Sequence, residues 1–250
     1  MAPVIDALLH GKLRLSEDVL TSSVIGTLAS IDFGRPLLQF LAASRCLDGS
    51  HPIDAAGADI VAMNLWPSHR RYGEPDAVVH ARAGDVDLLI MIEAKYGAQK
   101  TSWDLPEDDP RVDQLARYWD GWRTFAKSCF GVVPVATTRC VVVYLTSHPT
   151  IPIAEIEESL ARLHAAPEAC IAWLPWGDAS RVLEPHRDTP SSSNLAAKLC
   201  DLLDRNGFVS FDGFLTAELR TPVVAGWSHA AHVTTAVTDI ATRWFEQEGA

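Results

Sequence analysis

Apolar residues recur along the chain in two kinds of segment, which together predict alternating strands and helices. Short runs rich in Val, Ile and Leu, bounded by Gly, Pro, Asp and Ser, are typical of strands. Longer segments with apolar residues three and four apart predict amphipathic helices. The predicted strands are 59–66, 76–82, 86–95, 139–147 and 170–174. The predicted helices are 2–12, 16–31, 36–44, 110–128, 154–165, 189–206 and 228–248.

The order of these elements predicts an α/β fold: a mixed sheet with a central antiparallel hairpin, flanked by helices. The segment 139–147 is apolar along nearly its whole length, as expected of a strand buried on both faces. A helix separates it from strand 170–174, which indicates a parallel crossover. We expect a core over residues 1–175 and a helical extension, 176–250, packed on the same domain.

The hairpin brings two acidic residues together. Gly84-Asp85 supplies the backbone conformation of a two-residue turn, and the resulting register places Asp76 opposite Glu93. Directly opposed residues have Cβ atoms about 4.5–5.5 Å apart and share a face of the sheet. Lys95 lies on that same face, roughly 6.6–6.8 Å further along the strand.

Two opposed carboxylates repel each other unless a cation or a proton lies between them. Mg²⁺ favours carboxylate oxygens and retains water, so it is the economical explanation for Asp76 beside Glu93. Lys95 adds a positive donor that could hold an attacking water or stabilise charge on a phosphate. The pattern therefore predicts a metal site, with a solvated pair of acids at a sheet edge as the alternative.

Pro75-Asp76, a hairpin and then Glu93-Ala94-Lys95 resemble the signature of the PD-(D/E)XK nuclease superfamily. The resemblance implies a restriction-endonuclease-like fold over about residues 16–175 and hydrolysis of phosphodiester bonds. It also implies Mg²⁺ as the cofactor, with Mn²⁺ able to substitute. The catalytic residues carried over are Asp76, Glu93 and Lys95.

The resemblance also extends the metal site beyond Asp76 and Glu93. The carbonyl of Ala94 is expected as a ligand, and an acid on the first helix of many such nucleases completes the shell. Glu17 is the matching position, because Ser16 predicts the helix start and Glu17 lies at the end of the buried stripe. Compensation of the helix dipole is the alternative role for Glu17.

Gln114 and Tyr118 lie four apart on the predicted helix 110–128, whose start is marked by Asp109-Pro110. This Gln-x-x-x-Tyr spacing resembles the extra motif of the RecB-like branch of the superfamily. The resemblance implies that the pair helps to position substrate near the metal. A core position for Tyr118, beside neighbouring tryptophans, is the alternative.

Three basic residues near these motifs are candidate phosphate contacts. Arg70 and Arg71 follow His69 in the densest basic run of the chain, just ahead of the Pro-Asp pair. Lys100 lies in the polar segment 97–109, which follows the Glu-x-Lys strand. A solvated loop, with the arginines paired to neighbouring acids, is the alternative for the basic run.

Asp87 shares the face of Glu93 but lies about 20 Å away along the strand, opposite Arg82. A cross-strand ion pair is therefore the better interpretation of Asp87. His229 and His232 are three apart on the predicted helix 228–248, with no acid at a matching offset. They are interpreted as packed or solvated residues and not as metal ligands.

Composition limits the partners and the location. The 250 residues are 48% hydrophobic, but no apolar run reaches the length of a membrane span and the first residues do not resemble a secretory signal. We therefore expect no membrane association and a cytoplasmic location. The five cysteines are scattered without a C-x-x-C pair, which predicts free, mostly buried thiols and no zinc or iron–sulfur site.

The net charge of −11 argues against a large, general nucleic-acid-binding surface. It predicts weak, salt-sensitive affinity and dependence on a second copy or a partner protein. Two functions are therefore carried forward. The first is a Mg²⁺-dependent nuclease acting on DNA, as in restriction, repair or anti-phage defence. The second is an inactive module of the same fold that binds nucleic acid or regulates a partner.

Overall fold

The computed structural model describes residues 2–97, 113–163, 166, 168–187 and 193–208. Five strands form one sheet over this part of the chain: Ala58–Leu65 (β1), Ala77–Ala83 (β2), Val86–Lys95 (β3), Arg139–Thr146 (β4) and Ile171–Pro175 (β5). The strands are adjacent in chain order. β1, β2 and β3 pair antiparallel, whereas β3, β4 and β5 pair parallel. The predicted α/β class with a mixed sheet and an antiparallel hairpin is confirmed.

The helices of the described residues cover both faces of the sheet. They are Ala2–Leu9 (α1), Glu17–Ser30 (α2), Arg35–Ala42 (α3), Gln114–Phe130 (α4), Ile153–Arg162 (α5), Asp178–Leu183 (α6) and Ser193–Arg205 (α7). Two short 3-10 helices, Asp32–Gly34 and Glu184–His186, connect neighbouring elements. The parallel crossover predicted between β4 and β5 is confirmed, with α5 as its helix.

Alternate residues of each strand point to opposite faces, so the sheet separates two apolar cores. Ile90 and Val143 belong to the core shared with α1, α2, α3, α6 and α7, on the side called here the α2 face. Met91 and Val142 belong to the core shared with α4 and α5, on the α4 face. Glu93 and Lys95 have the same parity as Met91 and therefore belong to the α4 face.

The hairpin has the predicted register. Ala83 pairs with Val86 and Ala77 with Ile92, on either side of a turn that contains Gly84. Gly84 has a φ of +56°, a conformation that glycine adopts without steric cost. Asp76 directly precedes β2, so the same register places it opposite Glu93.

The first long helix begins where the sequence predicts it. The Ser16 side chain accepts a hydrogen bond from the Val19 amide across 3.4 Å, and α2 starts at Glu17. The helix ends at Ser30, before a segment in which Asp32 and Phe33 adopt positive φ angles of 42° and 55°. Glu17 therefore stands in the first turn of a helix that packs on the α2 face.

The predicted start of the helix that carries Gln114 and Tyr118 is wrong. Asp113 has an extended backbone (φ −94°, ψ 113°), and its carboxylate accepts a hydrogen bond from the Ala116 amide across 2.9 Å. This cap makes Gln114 the first residue of α4, whereas the sequence prediction began at residue 110. Residues 109 and 110 themselves lie outside the described residues.

Residues 176–208 contribute α6 and α7, which pack on α1, α2 and α3 within one compact unit, residues 1–211. The remainder of the predicted extension, including helix 228–248 with His229 and His232, lies outside the described residues. Within the described ranges, no helix has the length and apolar character needed to span a bilayer.

Candidate active site

Asp76 is held at the end of the hairpin by a backbone amide. Its Oδ2 accepts a hydrogen bond from the Ala94 N–H across 2.7 Å, and only 8% of the residue is exposed. Burial, which removes water from the charged carboxylate, and the nearby charge of Glu93 together raise the pKa of Asp76 to about 7. The cluster thus contains a carboxyl group that exchanges a proton near neutral pH.

Glu93 and Lys95 form a buried ion pair at the carboxyl end of β3. Lys95 Nζ lies 2.6 Å from Glu93 Oε1, and the two residues are 5% and 3% exposed. Burial raises the pKa of Glu93, although Lys95 opposes the shift. Burial alone would lower the pKa of Lys95, but the attraction of Glu93, Glu17 and Asp76 together outweighs it and the net shift is upward. Lys95 therefore remains an ammonium group.

Glu17 contacts this pair from α2, which packs on the opposite face of the sheet. Its Oε1 lies 3.3 Å from Lys95 Nζ, and its Oε2 accepts a hydrogen bond from the Tyr96 amide across 2.9 Å. The Glu17 side chain is 28% exposed, which makes it the most accessible of the three acids. Glu17 lies at least 59 positions before the hairpin acids in the sequence. The fold nevertheless brings it to the same lysine.

Tyr118 contacts the same cluster from α4. Its hydroxyl donates a hydrogen bond to Glu93 Oε2 across 2.8 Å and also lies 3.0 Å from the carbonyl oxygen of Glu74. Burial and the negative charge of Glu93 raise the pKa of Tyr118, so the hydroxyl stays protonated as a donor. Tyr118 is fully buried, and the side chain to which its hydroxyl donates is Glu93, a predicted metal ligand.

Gln114 lies one helical turn before Tyr118 on α4. Its Oε1 is buried and accepts no hydrogen bond from the described residues. An amide oxygen in that position is available to a ligand or to residues not described. The structure thus places Gln114 on the helix that contacts the cluster, but at the first residue of that helix.

Two of the three candidate basic residues are described, and both are exposed. Arg70 and Arg71 lie in a tight turn in which the His69 and Gly73 backbones exchange hydrogen bonds of 2.8 Å. The Arg71 guanidinium lies 5.3 Å from the centre of the Tyr72 ring. Lys100 lies outside the described residues, so its predicted role stays a prediction.

Asp87 is confirmed as a residue outside the cluster. Its Oδ1 accepts from Arg82 Nε across 2.9 Å and lies 2.8 Å from Nε2 of the buried His80. His80 was not predicted from the sequence, although a histidine among the apolar residues of a strand could have indicated a buried partner for Asp87. These contacts lower the pKa of Asp87, chiefly through His80.

Two supports of the cluster were not predicted from the sequence. The indole N–H of Trp176 donates to the Lys95 carbonyl across 3.1 Å and so fixes the end of β3. The hydroxyl of Ser159 on α5 donates to the Asp113 carboxylate, with distances of 2.9 and 3.1 Å to its two oxygens. This contact ties the cap of α4 to α5. Both depend on the packing of elements that are distant in sequence.

The donor types fit a hard divalent cation. Asp76 and Glu93 are buried carboxylates, and oxygen ligands of this kind are those that Mg²⁺ prefers. Their raised pKa values also fit, because a bound cation would stabilise the charged forms. As the side chains stand, Lys95 occupies the position beside Glu93. Accordingly, no group of three acidic, histidine or cysteine side chains in the described residues has metal-site geometry.

The described structure therefore assembles Asp76, Glu93 and Lys95 with Glu17 and Tyr118 into one buried cluster at the carboxyl end of β3. The Ala94 amide donates a hydrogen bond to Asp76. Comparison of the chain with protein-family models, with curated proteins and with solved structures gave no match. The functional interpretation consequently depends on the geometry of this cluster.

Proposed function

We propose that this chain is a Mg²⁺-dependent nuclease that hydrolyses phosphodiester bonds of DNA, with its active site at the end of the hairpin. The observation that carries the proposal is the buried cluster of Asp76, Glu93 and Lys95 on one face of the sheet. Burying like charges side by side costs free energy that a purely structural hairpin has no reason to retain. The resemblance to the PD-(D/E)XK signature points to the same chemistry.

The residues have separate roles in this proposal. Asp76 and Glu93, with the Ala94 carbonyl and Glu17, would hold Mg²⁺. The bound ion would supply Lewis-acid stabilisation of charge on the phosphate. Lys95 orients the attacking water or stabilises the developing charge through its ammonium group.

Tyr118 acts on this site indirectly. By donating to Glu93 Oε2, it fixes the orientation of that carboxylate and leaves Oε1 for Lys95. A hydrogen bond of this type, to the far oxygen of a ligating carboxylate, tunes both its geometry and its charge. Tyr118 is thus a positioning residue, because its hydroxyl donates to the proposed ligand Glu93.

Substrate would approach from the side of Glu17, the most exposed member of the cluster. For Glu93 to bind an ion, the ammonium of Lys95 has to move away from Oε1, so metal binding and rearrangement of Lys95 are coupled. Arg70, Arg71, Lys100 and Gln114 are the proposed contacts to the substrate. The net charge of −11 makes these few contacts salt-sensitive and favours help from a second copy or a partner protein.

A second candidate function, a non-catalytic module of the same fold, is favoured by one observation. Lys95 already compensates Glu93 and contacts Glu17, so part of the negative charge of the cluster is balanced without a metal ion. In that case the charges would stabilise the hairpin end, and the chain would serve as a nucleic-acid-binding or regulatory subunit.

Cleavage assays separate the two functions. The parent is incubated with single-stranded DNA, double-stranded DNA and RNA, with Mg²⁺ or with a chelator. Glu93→Gln and the matched control Asp87→Asn, which alters an acid on the same strand but outside the cluster, are included. Mg²⁺-dependent cleavage that is lost in Glu93→Gln and kept in Asp87→Asn is expected. Absence of cleavage by the parent on every substrate favours the module.

A further inference from the structure

Two cysteines that are 124 positions apart in sequence lie together at the edge of the sheet. The Sγ atoms of Cys46 and Cys170 are 3.5 Å apart. All five cysteines are free, but only Cys140 and Cys200 are buried, so the prediction of mostly buried thiols is wrong for the others. Cys46 and Cys170 are half-buried and within reach of small molecules.

The backbone holds the two sulfurs in this arrangement. Arg45 and Trp173 exchange a pair of backbone hydrogen bonds, 2.9 and 2.8 Å long, which join the segment after α3 to β5. The Cys46 amide donates to the Ser50 carbonyl across 2.9 Å, closing a turn beside this bridge. A disulfide has an S–S distance of about 2.05 Å, so side-chain rotation has to bring the sulfurs only about 1.5 Å closer.

The pair is chemically asymmetric. The hydrogen bond with Cys170 lowers the pKa of Cys46 to about 7, although partial burial opposes the shift. The same contact, together with burial, raises the pKa of Cys170. A substantial fraction of Cys46 is therefore the thiolate at neutral pH, which is the form that reacts with oxidants. Cys46 also lines a cavity of about 790 Å³ at the carboxyl ends of β4 and β5, which gives small molecules a route to it.

We propose that Cys46 and Cys170 form a peroxide-sensitive modification site, in which Cys46 is the reacting thiol and Cys170 the resolving thiol. This proposal does not depend on the nuclease function. The thiolate of Cys46 attacks one oxygen of hydrogen peroxide, the O–O bond breaks, and a sulfenic acid and hydroxide form. Cys170 then attacks the Cys46 sulfur, a disulfide forms, and the sulfenic oxygen leaves with the Cys170 proton as water.

The product would link the segment after α3 covalently to β5. The balance is two thiols and one peroxide giving one disulfide and two waters. A thiol reductant reverses the step by thiol–disulfide exchange. The disulfide would fix Cys46 relative to Trp173, and both residues line the cavity. Trp176, which donates to the Lys95 carbonyl at the end of β3, lines the same cavity.

The test is a titration of the full chain with hydrogen peroxide, followed by alkylation of remaining thiols and peptide mapping by mass spectrometry. The parent is expected to lose about 2 Da and to yield a Cys46–Cys170 cross-linked peptide. The cross-link should disappear on reduction. Cys46 should react at least about tenfold faster than the half-buried Cys129.

Three variants give the controls. Cys170→Ser should accumulate a sulfenic acid on Cys46 that a dimedone probe labels, whereas Cys46→Ser should leave Cys170 unmodified at the same peroxide dose. Cys129→Ser should behave like the parent. The parent in guanidinium should lose the preference for Cys46, because the preference comes from the fold. Recovery of Cys46 and Cys170 both alkylated, or a link of Cys46 to another cysteine, would overturn the proposal.

Discussion

Lys95 Nζ lies 2.6 Å from Glu93 Oε1, and both residues are almost fully buried. The two residues are adjacent on one face of β3, and the hairpin register brings Asp76 to the same place. Glu17 contributes a further carboxylate to the lysine across 3.3 Å. One ammonium group therefore balances the charge of several carboxylates. A metal ion that binds the same carboxylates has to displace it.

Replacing Asp76 with alanine should abolish tight Mn²⁺ binding, because it removes one of the two buried carboxylates proposed as ligands. Titration calorimetry measures this directly. Asp87→Asn is the matched control, since Asp87 lies on β3 about 20 Å from Glu93 and should leave ion binding intact. Unchanged Mn²⁺ affinity in Asp76→Ala would remove Asp76 from the proposed site.

The raised pKa of Asp76 predicts a pH dependence of folding stability in the metal-free protein. The folded value is about 7, above the unfolded value of 3.8, so the folded state binds more protons between these limits. Stability should therefore fall as the pH rises from about 4 to about 7 and level off above that.

Asp76→Asn should reduce this slope, because asparagine keeps the acceptor for the Ala94 amide without the buried charge. Glu93, whose pKa burial also raises, still contributes in the same direction. At pH 8 and without divalent ions, the variant should be more stable than the parent by about 1–3 kcal/mol. Urea unfolding with chelator at pH 5 and pH 8 provides the measurement. Equal stability of parent and variant at both pH values would contradict the buried-charge interpretation.

Tyr118→Phe should weaken ion binding as well as cleavage, since the lost hydroxyl orients Glu93. The Gln-x-x-x-Tyr motif alone predicts an effect on substrate positioning and none on ion binding. The contact of Tyr118 with Glu93 is the reason to expect weaker ion binding as well. Loss of a hydrogen bond to a buried charge should also cost about 1.5–3 kcal/mol of stability.

Tyr144→Phe is the matched control for that experiment. Its hydroxyl donates to Glu155 across 2.6 Å, so this variant also loses a tyrosine–carboxylate hydrogen bond, but one that does not involve Glu93. Tyr144 is the β4 partner of Glu93, so Mn²⁺ affinity should fall clearly more in Tyr118→Phe than in Tyr144→Phe. An equal change in both variants would show that general loss of packing explains the effect.

Arg70 and Arg71 should contribute to substrate affinity through phosphate charge and not through the metal. The double Arg→Ala variant should bind DNA more weakly and reduce the slope of log affinity against log salt by about 2. Fluorescence anisotropy at several salt concentrations tests this. Arg35→Ala, which alters an exposed arginine at the start of α3, should keep the parent slope. If the double variant has the same slope of log affinity against log salt as the parent, the phosphate contacts are not made by Arg70 and Arg71.

Sequence patterns predicted the parts of the site that depend on local chemistry. The Gly84-Asp85 turn and the two-residue period of strands determine the register of Asp76 and Glu93, and Ser16 determines where α2 begins. For α4, the sequence favoured Asp109 as the cap, a residue that lies outside the described residues. Asp113 caps the helix, and Ser159 on α5, which is 46 positions away in sequence, donates to its carboxylate.

The contacts that complete the cluster required tertiary packing and could not be predicted. The spacing of Gln114 and Tyr118 places them on one helix face, but it does not say that the face meets Glu93. Trp176 and its hydrogen bond to Lys95 likewise depend on how the chain after β5 packs against the end of β3. Raised pKa values follow from this burial and not from the residue types.

The most direct test of the nuclease proposal compares cleavage rate with nucleic-acid affinity in Lys95→Ala. Lys95→Gln, whose side chain has a similar volume, is a second variant in case Lys95→Ala does not fold. Circular dichroism checks that both variants are folded. Lys127→Ala, an exposed lysine in the last turn of α4, is the matched control. The proposal predicts Mg²⁺-dependent cleavage that is about 10²–10³ slower in both Lys95 variants, with affinity nearly unchanged and Lys127→Ala at the parent rate. Metal-dependent cleavage at the parent rate in folded Lys95→Ala would contradict it.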